Sequence, residues 1–404
     1  MKQNVIVFVA IVFCLCLSFG AQGQNITTNA QNCTPSQVKQ TPLANLPPIP
    51  SWHPALNWLS PQSQVVLNRT MANAGATAVY PNLNNSACYG EFLKYRNRTD
   101  TRFAQNYKKL YMPYTIRNDT IDGVKVTWVT TPNTTIEDRV IIYLHLGRFM
   151  YGNSYVSSPG IVPVADISNI KAVSVDYRLV PEHPYPAAIE DVKKVYNWLL
   201  ENGYRNENIA IYGDSSGGNL AIATTLMLKD EGLPLPGAVA VASPTLDLSK
   251  VSDSFYTLSH VDPITSFSGN DKAYGVYVGK ENATNPYISP MYGNYSGFPP
   301  LYIQVGEREL YLSGCSQTAL KAYHAGVPVV FNVWDAMWHI FSTNDPQLPE
   351  SRKANRDAAE FIARNLGAET ATSKPSHEKQ PGFEGIIALA GIAAIAYLAL
   401  DKRR

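Results

Sequence analysis

The sequence carries almost no excess of charge. Its 404 residues hold 33 Lys and Arg against 32 Asp and Glu, for a formal net charge of +1. There is no basic field to neutralise phosphates, so nucleic acid is not expected as a partner. Cysteine is scarce as well: five in all, with Cys14 and Cys16 inside the first apolar segment. The other three, Cys33, Cys88 and Cys315, are an odd number, which leaves one thiol free or paired with another molecule; a Cys33–Cys88 bridge is one open pairing. No metal-type Cys/His cluster and no internal repeat is visible, and neither a metal nor a cofactor is expected.

What the chain does have is length and apolar content. At 404 residues and 45% hydrophobic, it suffices for one large domain or two small ones. Residues 1–23 read as a secretory signal: Lys2 is the positive end, residues 5–19 the apolar core, and Ala21-Gln22-Gly23 the small cleavage positions. A signal anchor that is never cut is the alternative. Residues 24–60 are rich in Asn, Thr, Gln and Pro and read as an exposed polar arm. Nine N-x-S/T acceptors, at Asn25, Asn32, Asn68, Asn84, Asn97, Asn118, Asn133, Asn282 and Asn294, imply a glycosylated surface in an exported chain.

From residue 62 to about 114 the apolar spacing is helical, with Val65, Val66 and Met71, then Phe92, Tyr95 and Phe103. Alternation follows, and residues 120–129 predict a hairpin around Asp122-Gly123. Strands are then expected at 140–144, 172–176, 209–212, 238–242, 301–305 and 329–333. Helices are expected at 186–202, 216–229, 313–324 and 350–365. The helix at 186–202 places Ile189, Val192, Val195, Tyr196 and Leu199 on one face and stops at Gly203. This alternation predicts an α/β fold, a mostly parallel sheet with helices on both faces.

Gly213-Asp214-Ser215-Ser216-Gly217 joins one of those strands to its helix. A serine hydroxyl is a weak nucleophile and must be held where a base can reach it. A sharp strand-to-helix turn lifts Ser215 above the sheet, and crowding in the turn calls for glycine two residues before and two after. The helix that starts there points its first amides toward an incoming oxyanion. Of seven histidines, His339 lies in a loop just after the last strand, at the same sheet edge, and is the expected base. His145 is its rival, but it lies where an oxyanion loop is expected. The chain order serine, acid, histidine puts the acid after the strand at 301–305: Glu309 is preferred and Glu307 is the reserve. The loop 145–152, His-Leu-Gly-Arg-Phe-Met-Tyr-Gly, is expected to supply the backbone amides of Gly147 and Arg148 to an oxyanion hole shared with the amide of Ser216.

From about residue 120 to 366 the chain resembles the hormone-sensitive-lipase-type branch of the α/β-hydrolase esterases. The likeness rests on residues 145–152, the run Asp176-Tyr177-Arg178-Leu179-Val180-Pro181-Glu182-His183-Pro184-Tyr185-Pro186-Ala187-Ala188, residues 213–218, Ser243-Pro244-Thr245-Leu246-Asp247-Leu248, Ile288-Ser289-Pro290, residues 299–306 and residues 337–341, all in the family's order. The resemblance implies an eight-stranded α/β-hydrolase fold over residues 61–367, with a helical cap from about 61–115 and 250–285. It also implies a serine carboxylesterase acting on small-molecule esters through Ser215, His339 and Glu309. The family's oxyanion loop is usually a histidine followed by three glycines; here Leu146 and Arg148 replace two of them. Any residue has an amide, but glycine is used where φ is positive or a ligand lies close, so a tilted donor and weak activity are expected if the backbone yields. If it does not, the Arg148 side chain turns to solvent or lies across the pocket, where it favours an anionic substrate group.

After a polar linker at 368–380, Pro381-Gly382-Phe383, an apolar run to Leu400 and the basic end Lys402-Arg403-Arg404 resemble the PGF-type sorting signals of archaeal surface proteins. Residues 381–404 are therefore expected to hold the chain at the membrane, either as a processed signal or as a single span. Two other functions stay open: a non-catalytic surface binding module on a hydrolase scaffold, motivated by Leu146 and Arg148, and a serine peptidase, disfavoured by the absence of a propeller-like repeat domain.

Overall fold

The computed structural model describes residues 59–72, 88–107, 112–265 and 267–368. The expected signal, nearly all of the polar arm, Cys33, the acceptors Asn25, Asn32 and Asn84, and the chain from residue 369 through the tail lie outside the described residues. Cys88 is disulfide-bonded and Cys315 is a buried free thiol.

Eight strands form one sheet: β1 (Thr115–Ile121), β2 (Val124–Thr130), β3 (Ile136–Leu144), β4 (Ile170–Val175), β5 (Ile209–Asp214), β6 (Ala238–Ala242), β7 (Leu301–Gly306) and β8 (Val329–Trp334). Their order is β1-β2-β4-β3-β5-β6-β7-β8. β1 with β2 and β2 with β4 run antiparallel, and every other pair is parallel. Asp122 and Gly123 close the first hairpin with φ of 46° and 78°, the left-handed pair that a two-residue turn between right-twisted strands requires.

The helices are α1 (Pro61–Ala72), α2 (Tyr89–Tyr107), α3 (Ser154–Ser157), α4 (Val162–Ser168), α5 (Ala187–Glu201), α6 (Ser216–Asp230), α7 (Ser254–Thr257), α8 (Phe267–Val278), α9 (Leu312–His324), α10 (Phe341–Asn344) and α11 (Pro349–Asn365). They cover both faces of the sheet, and the two-residue period of β3 shows how. Val140, Ile142 and Leu144 enter one core with Ile189 and Leu199 of α5, Leu220 of α6 and Ala319 of α9. Ile141 and Tyr143 enter the other with Val162 of α4 and Phe361 and Ile362 of α11. Strands buried on both sides lose the polar alternation of a half-exposed sheet, which is why they read in the sequence as near-continuous apolar runs.

The expected strands and helices are all present, with ends shifted; β3 begins at Ile136 rather than 140. Between β3 and β4 the structure adds α3 and α4, which are not among the helices expected from the sequence. Each is too short to set up a helical period, and α3 is announced only by Asn153, whose side chain accepts from the amides of Tyr155 and Val156. α1 packs on α11 through Leu67, Trp338 and Ala354. No helix of the described residues is long and apolar enough to cross a membrane.

Candidate active site

Ser215 stands between β5 and α6 with φ 54° and ψ −116°, far from the ordinary wells of an L-residue. Its amide donates to Ala242 O at 2.9 Å and its carbonyl accepts from the amide of Thr245 at 3.2 Å, which ties the turn to the end of β6. The flanking glycines are needed for space rather than for φ. A Cβ on Gly213 would lie 2.2 Å from Gly217 O, and one on Gly217 would lie 2.0 Å from Leu144 O. The predicted elbow is thus present, and its glycines are the ones the crowding demands.

The structure brings Ser215, His339 and Glu309 into line. Ser215 Oγ is 3.0 Å from His339 Nε2, and His339 Nδ1 is 2.8 Å from Glu309 Oε2. Ser215 and His339 are each 4% exposed and Glu309 is fully buried. The other oxygen of Glu309, Oε1, accepts from the amide of Gly306 at 2.6 Å. The reserve acid, Glu307, points elsewhere: its Oε2 accepts from the amide of Ala336 at 2.9 Å and braces the turn that leads to His339. That turn is anchored by Met337 and Trp338, both buried. The ring of Tyr311 meets His339 edge-on, with centroids 4.8 Å apart.

Sequence reading assigned no role to Ser243. It occupies the end of β6 at φ 50°, donates its hydroxyl to Glu309 Oε1 at 2.7 Å and accepts from the amide of Ile340 at 3.0 Å. A serine after an apolar strand carries no local signal of such a task; only the matched stretch beginning Ser243-Pro244 marked the position.

The loop 145–152 lies beside the elbow. His145 is fully buried, its ring stacked on Tyr177 at 4.3 Å, and its Nδ1 is 2.7 Å from Leu146 O. Burial pushes its pKa down to about 4, so it stays neutral at pH 7 and donates from Nδ1; it is not placed as the base. Gly147, Arg148 and Phe149 follow one another with φ of 143°, 53° and 61°. Gly147 is irreplaceable, because a Cβ there would sit 1.8 Å from Tyr151 O. The two departures from glycine therefore differ. Leu146 is a buried side chain without a left-handed backbone, whereas Arg148 holds a left-handed conformation that costs a non-glycine residue roughly 1–3 kcal/mol. Its guanidinium does not simply turn outward: Nε donates to Asn270 Oδ1 of α8 at 3.0 Å and Nη1 to Tyr151 Oη at 3.2 Å. Asn270 in turn donates to Tyr311 Oη at 3.0 Å, so the side chain of Arg148 connects the loop to the residues around His339. Ser216 is the first residue of α6, at the positive end of the helix.

A family model described as the alpha/beta hydrolase fold matches residues 141–343, a span that contains the elbow, both candidate acids and His339. The chain belongs to the α/β-hydrolase family. A protein named "Esterase" from Acinetobacter venetianus is 33% identical over 224 residues, covering 55% of this chain and 74% of that one. An "Acetyl-hydrolase" from Streptomyces hygroscopicus is 32% identical over 231 residues, covering 57% and 77%. Among solved structures, an esterase from the bacterial hormone-sensitive lipase family is similar with a TM-score of 0.68 at 29% identity, over 78% of this chain and 99% of that one. Residues 380–400 match the PGF-CTERM motif, which marks an exported surface protein held at its carboxy-terminus.

Within this α/β-hydrolase, one more titratable group adjoins the elbow. Asp214 is fully buried, and its Oδ2 accepts from Tyr143 Oη at 2.8 Å. Burial raises its pKa to about 7, against hydrogen bonds from Tyr143, Thr343 and Tyr212 and the nearby His339, all of which favour the charged form. Among the described residues no group of His, Cys, Asp and Glu is placed to hold a metal ion.

Proposed function

We propose that this carboxylic ester hydrolase works through an acyl-enzyme on Ser215. His339 Nε2 takes the Ser215 proton as Oγ attacks the ester carbonyl carbon, and Glu309 holds the Nδ1–H of the imidazolium that forms. The amides of Gly147, Arg148 and Ser216 receive the oxyanion. The tetrahedral intermediate collapses as His339 returns the proton to the departing alcohol. Water then repeats the sequence, with His339 as base, and releases the acid and free Ser215. The observation that carries this reading is the continuous Ser215–His339–Glu309 relay at 3.0 and 2.8 Å, with its serine on a strained elbow.

The acetyl-hydrolase relative supports a short acyl group. Helices from about 61–115 and 250–285 act as the cap over the site. Residues 1–23 are a signal peptide, residues 24–60 a polar arm and residues 368–380 a linker; residues 381–404 hold the catalytic domain on the outer surface. Asn68, Asn97, Asn118, Asn133, Asn282 and Asn294 are exposed and suit glycosylation.

Turnover of short p-nitrophenyl esters by the purified protein tests the reading. A folded protein with no turnover would instead favour a non-catalytic binding module, with Arg148 as the reason.

A further inference from the structure

Three consecutive left-handed residues do not hold themselves. The loop's internal bonds, from the amides of Met150 and Tyr151 to Gly147 O, close a turn, and on the α8 side Arg148 Nε donates to Asn270 Oδ1 at 3.0 Å while the ring of Phe149 stacks on Tyr277 at 3.7 Å. From the other side the loop is held by one face of α2. Arg96 Nε donates to Met150 O at 2.7 Å. One helical turn later, Asp100 Oδ1 accepts from the amide of Gly152 at 2.8 Å. Tyr95 and Phe103 close on the ring of Tyr151 from the same face, edge-on at 6.2 Å and stacked at 5.8 Å.

Arg96 is itself fixed. Its guanidinium pairs with both oxygens of Glu182 and donates to Val180 O at 2.7 Å, while the amide of Val180 donates to Phe149 O at 2.9 Å. Helix α2 therefore grips the loop at 150, 151 and 152, and through Val180 indirectly at 149, immediately after the residues whose amides receive the oxyanion.

We propose that α2 sets the geometry of the oxyanion loop, and that Asp100, with Arg96, is a positioning residue for the reaction rather than part of a passive cover. The inference rests on the ester-hydrolase reading above. It explains how this chain keeps its loop in shape with Arg148 and Phe149 where glycine is easier: glycine would reach these φ values without strain, and here contacts from an outside helix help hold the strained backbone.

The test compares Asp100→Leu with Asp100→Asn in the full protein, by steady-state kinetics and by amide hydrogen exchange of residues 146–152. Loss of one well-aligned oxyanion donor lowers kcat by about 10²–10³-fold, so a loosened loop is expected to lose roughly 10- to 100-fold in kcat. In Asp100→Leu that loss comes with KM within about threefold and with faster loop exchange. Asp100→Asn keeps an acceptor oxygen and stays close to wild type in both readouts. Phe103→Leu is a milder variant should Asp100→Leu not fold, with the same signs and smaller size. A folded Asp100→Leu with wild-type kcat and wild-type loop exchange overturns the proposal, as does a loss confined to KM. If the wild-type protein hydrolyses no ester, the ester-hydrolase reading has failed; the exchange comparison still decides whether α2 holds the loop.

Discussion

Ser243 donates its hydroxyl to Glu309 Oε1 at 2.7 Å, so the buried acid of the relay is held from the side away from His339. The same hydroxyl accepts from the amide next to His339, at Ile340. One side chain thus fixes both the acid and the loop that carries the base. Ser243→Ala is expected to leave the fold intact, cost about 1–3 kcal/mol of stability through the lost bond to Glu309 and the unsatisfied amide of Ile340, and lower kcat about tenfold with KM little changed. Thermal unfolding and steady-state kinetics check both parts.

The two candidate acids separate by substitution. Glu309→Gln replaces the acceptor for His339 Nδ1–H and is expected to reduce kcat by a hundredfold or more. Glu307→Gln keeps an oxygen for the amide of Ala336 and is expected to stay within about tenfold of wild type. The opposite ranking would exchange the roles of the two residues.

The elbow and His339 could be read from the sequence because their chemistry is local: glycines at fixed offsets from Ser215, and a histidine just past the last apolar run. Chain order placed the acid after the strand at 301–305 but did not separate Glu309 from Glu307; the structure does, since one carboxylate points into the site and the other braces a turn. Three features were out of reach because they join distant segments. Ser243 meets Glu309 across β6 and β7, Arg148 meets Asn270 of α8, and Asp100 of α2 meets Gly152. Helices α3 and α4 escaped because neither is long enough to show a period.

Arg148 is expected to set selectivity rather than bare activity. Its guanidinium lies toward Asn270 and Tyr151, near the residues around His339, where a cation favours an anionic acyl group. Arg148→Gly is expected to lower the preference for acidic over neutral acyl esters and to change neutral-ester turnover less than about tenfold. A rise of a hundredfold, close to the ~3 kcal/mol of a restored donor, would mean instead that the side chain holds the oxyanion loop out of shape. Paired kcat/KM values for a hemisuccinate ester and its neutral analogue give the ratio.

Two buried groups give stability opposing pH slopes. Asp214 keeps its proton in the folded state up to about pH 7, but the unfolded chain releases it near 3.8, so this contribution is lost as pH rises between those values. His145 stays neutral in the folded state down to about pH 4, but the unfolded chain takes up a proton near 6.5, so its contribution is lost as pH falls through that window. Asp214→Asn removes only the first slope. Stability of this variant is expected to climb more steeply from pH 4 to 6.5 than wild type, with Tm at pH 7.5 raised by roughly 5 °C. Equal pH profiles for the two proteins would show that Asp214 is ionised throughout.

The central claim is that Ser215, activated by His339, is the nucleophile. Intact-mass measurement after treatment with a fluorophosphonate tests it most directly. The expected result is a single adduct on the peptide that carries Ser215, absent from a folded Ser215→Ala variant and strongly slowed in His339→Ala. Labelling that persists in Ser215→Ala, or an adduct on another residue, would contradict the account.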